Sequence, residues 1–81
     1  MNEQHIRQTI MEILAAIAPD TDPNTLSDTD NLRTELGIDS FDALQFIIQL
    51  DERLGISIPE EDYNRTGSIQ DILDYIREKG M

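Results

Sequence analysis

The sequence predicts an all-α protein, a small four-helix bundle with three longer helices, one short helix and a long loop between helices one and two. Apolar residues recur at helical spacing in three segments of the chain. Only residues 56–58 alternate as a strand would, and three residues cannot form a sheet. The chain has 81 residues and no sign of a second domain, so we expect residues 1–81 to form one domain.

The first helix is predicted at about residues 2–18. Its apolar residues fall on one helical face at offsets of four, seven, eight and eleven: Ile6, Ile10, Ile13, Leu14 and Ile17. Pro19 ends the helix because proline cannot continue it. His5, the only histidine, has no cysteine or acidic partner at ligand spacing, so we expect it on the surface.

The long loop covers residues 19–38. Its two prolines and four aspartates argue against regular structure through most of this segment, although residues 30–34 could add a short helical turn. A loop of this length in a small domain is usually functional or anchored. Leu26, Leu32 and Leu36 are the residues expected to anchor it in the core.

The second long helix is predicted at about residues 40–54. Asp39 is a suitable N-cap, and Asp42 lies in the first turn, where a carboxylate suits the positive end of the helix dipole. The core face is expected to contain Ala43, Phe46, Ile47, Leu50 and Leu54. Phe41, Leu44 and Ile48 fall at the edge of this face, where side chains are often half-buried.

Two further helices complete the bundle. A short one is predicted at about residues 59–64, where Pro59 at a first helical position is followed by three acidic residues. The last is predicted at about residues 68–79, because Ser68 and Asp71 resemble a capping box. Its apolar face contains Ile69, Ile72, Leu73 and Ile76.

The composition limits the partners. Seventeen acidic residues against six basic ones give a formal charge of −11, the opposite of what a nucleic acid or an anionic membrane attracts. We therefore expect protein partners with basic docking surfaces and no binding to nucleic acid or membrane. Without cysteine there is no disulfide and no thiolate metal site. No signal peptide or membrane span is visible, so a cytoplasmic location is expected, and a monomer is the default expectation.

The serine between two aspartates is the most informative feature. Ser40 is predicted at the first position of the second long helix, where its hydroxyl can point outward at a spot suited to a phosphate group. An aspartate and a serine before an apolar run also commonly do no more than start a helix. The pattern alone leaves both interpretations open.

The segment Leu36-Gly37-Ile38-Asp39-Ser40-Phe41-Asp42 resembles the signature of the acyl carrier protein family, and the resemblance covers nearly the whole chain. It implies that Ser40 carries a covalent 4′-phosphopantetheine arm from coenzyme A, whose thiol holds an acyl group, and that Asp39 completes the recognised pair. It also implies a partner-docking face, which would contain Phe41, Asp42, Leu44, Ile48, Asp51 and Glu52. Within that face, we expect Leu44 to belong mainly to the core.

The resemblance also implies partners and cargo. The partners would be a phosphopantetheinyl transferase and acyl-transferring, acyl-activating or condensing enzymes. Family members often shelter the acyl chain inside the bundle, and the candidate lining residues here are Phe46, Ile47, Leu50, Ile69 and Ile72.

Three departures from the family pattern favour a specialised carrier. Phe41 replaces the usual leucine, Gln45 stands where many fatty-acid carriers have glutamate, and Arg53 interrupts the acidic end of the helix. They favour an acyl, polyketide-like or other lipid pathway. The alternatives are a carrier for a single activated amino acid and an unmodified carrier-like domain that only binds proteins. Asp39 argues against a typical peptidyl carrier, which tends to have histidine there.

Two other function classes fit poorly. A catalytic serine needs a base, and His5 is far from Ser40 in sequence, so no catalytic residues are expected. Residues 20–31 begin like a calcium-binding EF-hand loop. However, Thr25 stands where the loop demands glycine and Asn31 where it demands glutamate, so no metal site is expected.

Overall fold

A computed structural model describes residues 2–80, and these residues form four α-helices and two short 3-10 helices. In chain order they are α1 (Glu3–Ile17), the first 3-10 helix (Pro23–Thr25), α2 (Leu32–Leu36), α3 (Ser40–Leu54), the second 3-10 helix (Glu60–Thr66) and α4 (Ile69–Glu78). Among these residues there is no strand, and residues 56–58 form no regular element. The predicted all-α class is confirmed.

Each α-helix is preceded by an N-cap residue, whose side chain accepts a hydrogen bond from the backbone N–H three residues further along the chain. Such caps satisfy amides that have no partner within the helix. The accepting oxygens lie 2.8 Å from the amide nitrogen for Asn2, 3.0 Å for Asn31, 2.9 Å for Asp39 and 3.1 Å for Ser68. The predicted starts at Asp39 and Ser68 are thereby confirmed.

Two short elements differ from the prediction. The short helix expected at 59–64 is a 3-10 helix at Glu60–Thr66, and Pro59 caps it in an extended conformation instead of occupying its first position. The helical turn expected at 30–34 is α2, which starts later because the Asn31 side chain accepts from the amide of Thr34 and so defines the N-cap.

The core lies where α1 packs against α3 and α4. The apolar faces predicted for the three longer helices are buried, except that Ile17 and Ala43 are only half-buried. Tyr75 is also buried, which the apolar pattern of α4 did not predict. Its hydroxyl donates to Asp62 Oδ2 at 2.8 Å, so the second 3-10 helix supplies the partner that a buried phenol needs.

The long connection between α1 and α3 is anchored by buried leucines and by hydrogen bonds to α1 and α4. Leu32 and Leu36 are buried as predicted, whereas Leu26 is half-buried. The Arg7 guanidinium donates to both carboxylate oxygens of Asp28, at 2.9 and 2.5 Å, and ties the connection to α1. The amide of Gln70 donates to the Asp28 carbonyl at 2.9 Å and ties it to α4. These contacts hold the segment that leads into α3.

None of the helices formed by residues 2–80 has the length and hydrophobicity needed to cross a membrane.

Candidate functional site

Ser40 is the first residue of α3, and its side chain is exposed. The chain reaches it through Gly37, whose φ of 65° ends α2 in the left-handed conformation. Ile38 is buried and anchors the connection between the two helices. A glycine turn, a buried isoleucine and a capped helix therefore fix the position of the Ser40 hydroxyl.

Asp39 is exposed beside this hydroxyl, and it is also the N-cap of α3. Its Oδ1 accepts from the amide of Asp42 at 2.9 Å, and its carbonyl accepts from the amide of Ala43 at 3.0 Å. The carboxylate is thus held in place by the helix that it starts. Asp42, one turn along, is half-buried.

Arg33 is the site residue that sequence reasoning missed. Its Nη2 donates to Ser40 Oγ at 3.1 Å, and both side chains are exposed. The residue lies on α2, seven positions before Ser40, and the turn at Gly37 brings the two side chains together. The only sign of this contact in the sequence was a basic residue four positions before Gly37. Arg33 approaches Ser40 only if the chain reverses direction at Gly37.

An apolar stripe runs along the outer face of α3 from the Ser40 end. Phe41, Leu44 and Ile48 are 67, 38 and 39% exposed. The expectation that Leu44 belongs mainly to the core is wrong. Leu44 lines an open cavity instead of packing into the core, so part of its side chain meets solvent.

The acidic end of α3 is less interrupted than the sequence suggests. Asp51 is half-buried and Glu52 is exposed. Arg53 forms an ion pair with Glu12 of α1, and this hydrogen-bonded contact holds the pKa of the Glu12 carboxyl below its usual value. Arg53 is therefore directed toward α1, where Glu12 offsets its positive charge. Asp51 and Glu52 still make this end of α3 negative.

A cavity of about 380 Å³ opens beside Ser40, between α3, the segment before it and the second 3-10 helix. Of the five residues expected to line a cavity for an acyl chain, Phe46 and Ile47 line this one. Leu50, Ile69 and Ile72 do not, because they fill the core where α1, α3 and α4 meet. The remaining lining residues come mainly from α2, the segment after it and the second 3-10 helix, and they include Leu32, Ile38, Tyr63, Asn64 and Thr66.

Three of the four aspartates within residues 20–31, the segment that begins like a calcium-binding loop, accept hydrogen bonds from protein donors. Asp22 accepts from the amide of Asn24 at 3.0 Å, Asp30 accepts from the amide of Ser27 at 2.8 Å, and Asp28 binds Arg7. Over the range 2–80, no three His, Asp or Glu side chains come together in a way that could hold a metal ion.

Comparison with known proteins decides the family. The family described as "Phosphopantetheine attachment site" matches residues 4–76. The acyl carrier protein of Thermosynechococcus vestitus is 30% identical over 79 residues, covering 98% of this chain and 96% of the relative. The chain belongs to the acyl carrier protein family. The acyl carrier protein of Chlorobium luteolum is 28% identical over 79 residues, 98% of this chain and all of the relative, and that of Chloroherpeton thalassium is 35% identical over 54 residues, 67% of this chain and 68% of the relative.

As a member of the acyl carrier protein family, the chain takes 4′-phosphopantetheine as its covalent cofactor. The residues around Ser40 fit that group chemically. A hydroxyl is exposed for a phosphodiester bond, a guanidinium lies within hydrogen-bonding distance of it, and a cavity opens beside both.

Proposed function

We propose that this protein carries acyl groups as thioesters on a 4′-phosphopantetheine arm attached to Ser40 and presents them to enzymes of fatty-acid, polyketide-like or other lipid biosynthesis. The observation that carries the proposal is the exposed Ser40 hydroxyl at the start of a capped, anchored helix. The family match supports the choice of cofactor. When bound, the arm supplies the thiol that forms the thioester.

Attachment requires a presented hydroxyl and an external catalyst. Ser40 Oγ forms a bond to the phosphorus next to the pantetheine of coenzyme A, and the pyrophosphate bond to that phosphorus breaks. The Oγ proton is lost and adenosine bisphosphate leaves. A serine hydroxyl needs a base for such an attack, and we assign the base to the transferase, since the neighbouring Asp39 carboxylate is engaged as a helix cap.

Partner docking is assigned to the outer face of α3. Phe41, Leu44 and Ile48 offer apolar contact area there, and carboxylates accompany the stripe at Asp42, Asp51 and Glu52. An apolar centre with charged residues around it suits repeated, reversible binding, because the charges steer encounters and the small apolar area limits affinity. The fitting partner surface is an apolar pocket with arginine or lysine at its rim.

An acyl cargo fits the cavity better than an amino acid does. The lining is mainly aliphatic and aromatic, a surface that favours a hydrocarbon chain, and its polar members include the Arg33 guanidinium but no carboxylate that could pair with an ammonium group. We therefore favour an acyl carrier over the aminoacyl alternative. We propose that residues 1–81 form one carrier domain, which acts as a cytoplasmic monomer and is not itself an enzyme.

The proposal is tested by intact mass after incubation with coenzyme A and a broad-specificity phosphopantetheinyl transferase. The natural protein and Ser57→Ala, which removes another exposed serine, should each gain one phosphopantetheine. Ser40→Ala should gain none while melting as a folded protein. A gain on Ser40→Ala would reject the site. No gain on the natural protein with several transferases would favour the unmodified protein-binding module.

A further inference from the structure

Arg33 differs from the other arginines in its electrostatic environment. The other four each lie within 4.0 Å of at least one carboxylate oxygen: Arg7 pairs with Glu3 and Asp28, Arg53 with Glu12, Arg65 with Glu78, and Arg77 with Glu3 and Asp74. Within residues 2–80, Arg33 forms no such ion pair. In a chain of charge −11, an exposed guanidinium without a carboxylate partner is unusual and keeps its charge available.

The geometry directs that charge at one atom. Arg33 Nη2 lies 3.1 Å from Ser40 Oγ, the atom to which the arm is proposed to attach. Two carboxylates, Asp39 and Asp42, flank the same hydroxyl in sequence. A further negative charge at Oγ would be repelled by these carboxylates and by the net charge of the chain. Arg33 is the cation placed to offset that repulsion.

The Arg33 guanidinium is chemically suited to bind the phosphodiester that attachment of the arm creates. A phosphodiester keeps one negative charge, shared by two oxygens on the phosphorus that is bonded to Oγ. Arginine presents its N–H donors in a planar fork that matches a pair of phosphate oxygens, and hydrogen bonds between charged groups are stronger than neutral ones. A small rotation of the side chain from Oγ to those oxygens is enough to form the contact.

We propose that Arg33 is a positioning residue that binds the phosphodiester of the arm. This contact would hold the phosphate end of the arm on the α2 side of Ser40. The inference rests on the proposed attachment to Ser40. Arg33 and Ser40 both line the cavity beside α3. Arg33 therefore biases the arm toward that cavity and away from Phe41 and Ile48, which do not line it and stay available to partners.

The test compares the NMR spectra of the protein without and with the arm. In ¹H–¹⁵N spectra of the arginine side chains, attachment should shift the Arg33 Nε–H resonance and leave that of Arg77 in place. The ³¹P resonance of the arm should move in Arg33→Gln, return part of the way in Arg33→Lys, and stay unchanged in the control Arg77→Gln. Both glutamine variants remove one positive charge from an exposed arginine.

Thermal melting supplies the second readout. Arg33→Gln should lower the midpoint of the arm-bearing protein by about 1–6 °C more than that of the unmodified protein, the range given by an exposed ion pair in a domain of this size. Arg77→Gln should lower both forms equally, because its partners are present in both.

The possible failures are distinguishable. If the natural protein never accepts the arm, the proposed function itself fails. If it accepts the arm and neither the Arg33 resonance nor the ³¹P resonance responds, the role of Arg33 is wrong and the attachment stands. If Arg33→Gln does not fold, the resonance shift in the natural protein still decides.

Discussion

At the scale of single residues, Asp39 combines an observed role as a helix cap with a proposed role in recognition, and substitution can separate the two. Its carboxylate oxygen caps α3 at 2.9 Å from the Asp42 amide nitrogen, and we propose that the transferase recognises its negative charge next to Ser40. Capping needs only a suitable oxygen, whereas recognition by a basic partner needs the charge. Asparagine keeps the first property and loses the second.

Asp39→Ala should lower the free energy of unfolding by about 1 kcal/mol, the usual cost of losing an N-cap. Asp39→Asn should retain most of the stability, because its amide oxygen can accept the same bond. Urea denaturation of the two variants measures this. We expect both variants to accept the arm more slowly than the natural protein. Normal attachment to Asp39→Asn would show that the charge is not recognised.

Gly37 is required by its backbone conformation. Its φ of 65° is costly for any residue with a Cβ, although a Cβ at this position would meet open space. Gly37→Ala should therefore lower the free energy of unfolding by about 1–2 kcal/mol. Gly67→Ala is the matched control, because Gly67 is in the right-handed region at φ −80° and should tolerate alanine. Equal losses in urea denaturation would contradict this explanation.

Local chemistry explains which residues of the site could be predicted. Capping and helix position are decided by neighbours in sequence, so the exposed Ser40 and the cap at Asp39 followed from the chain itself. The contact from Arg33 depends on the direction in which the chain leaves Gly37, which no periodic pattern reports. Leu44 was misjudged because helical periodicity gives the angle of a side chain and not the element that covers it.

At the scale of elements, a partly buried hydrogen bond joins the second 3-10 helix to α4. Tyr75 is buried and donates to Asp62 Oδ2. Burial, helped by this carboxylate, raises the pKa of Tyr75 to about 12 from an ordinary value of 10.0. The folded state therefore favours the neutral phenol. The stability that this provides is complete below about pH 10 and is lost as the pH rises toward about 12.

Tyr75→Phe should lower the free energy of unfolding at neutral pH by about 1 kcal/mol, the net value of a hydrogen bond. It should also flatten the fall in stability between about pH 10 and about 12. Urea denaturation across this range measures both effects. Tyr63→Phe alters the half-buried tyrosine that follows Asp62 on the second 3-10 helix, and it should leave the alkaline fall in place. A similar flattening in both variants would mean that Tyr75 is not its source.

The elements themselves were predicted to different degrees. The bounds of α3 coincide with the prediction, since a capping aspartate, a continuous apolar face and Gly55 mark them in the sequence. The second 3-10 helix was expected only as a short helix of unspecified type, because so few residues contain too few turns to separate the α and 3-10 periods. Buried Tyr75 was not expected, since its partner Asp62 comes from another element.

At the scale of the whole molecule, the charge of −11 should govern how partners are found. A field of one sign accelerates encounter with basic surfaces and weakens as salt screens it. The location of each charge should still matter, because an encounter becomes productive only where the docking face meets the partner. The acidic residues at the end of α3 belong to that proposed face.

Glu52→Lys should reduce the association rate with the transferase several-fold and flatten its dependence on salt. Asp20→Lys makes the same change in net charge at an exposed residue in the turn after α1 and should have a smaller effect. Stopped-flow association at several ionic strengths measures both. Equal effects would assign the steering to net charge alone and remove Glu52 from the docking face.

The attachment of the arm to Ser40 is the central claim, and tryptic peptide mapping tests it directly. The four serines of the chain, Ser27, Ser40, Ser57 and Ser68, fall in four different tryptic peptides, because cleavage follows Arg7, Arg33, Arg53, Arg65 and Arg77. After enzymatic loading of the natural protein, tandem mass spectrometry should find the phosphopantetheine on peptide 34–53 and localise it to Ser40. An arm on any other peptide, or on Thr34 of this one, would contradict the account.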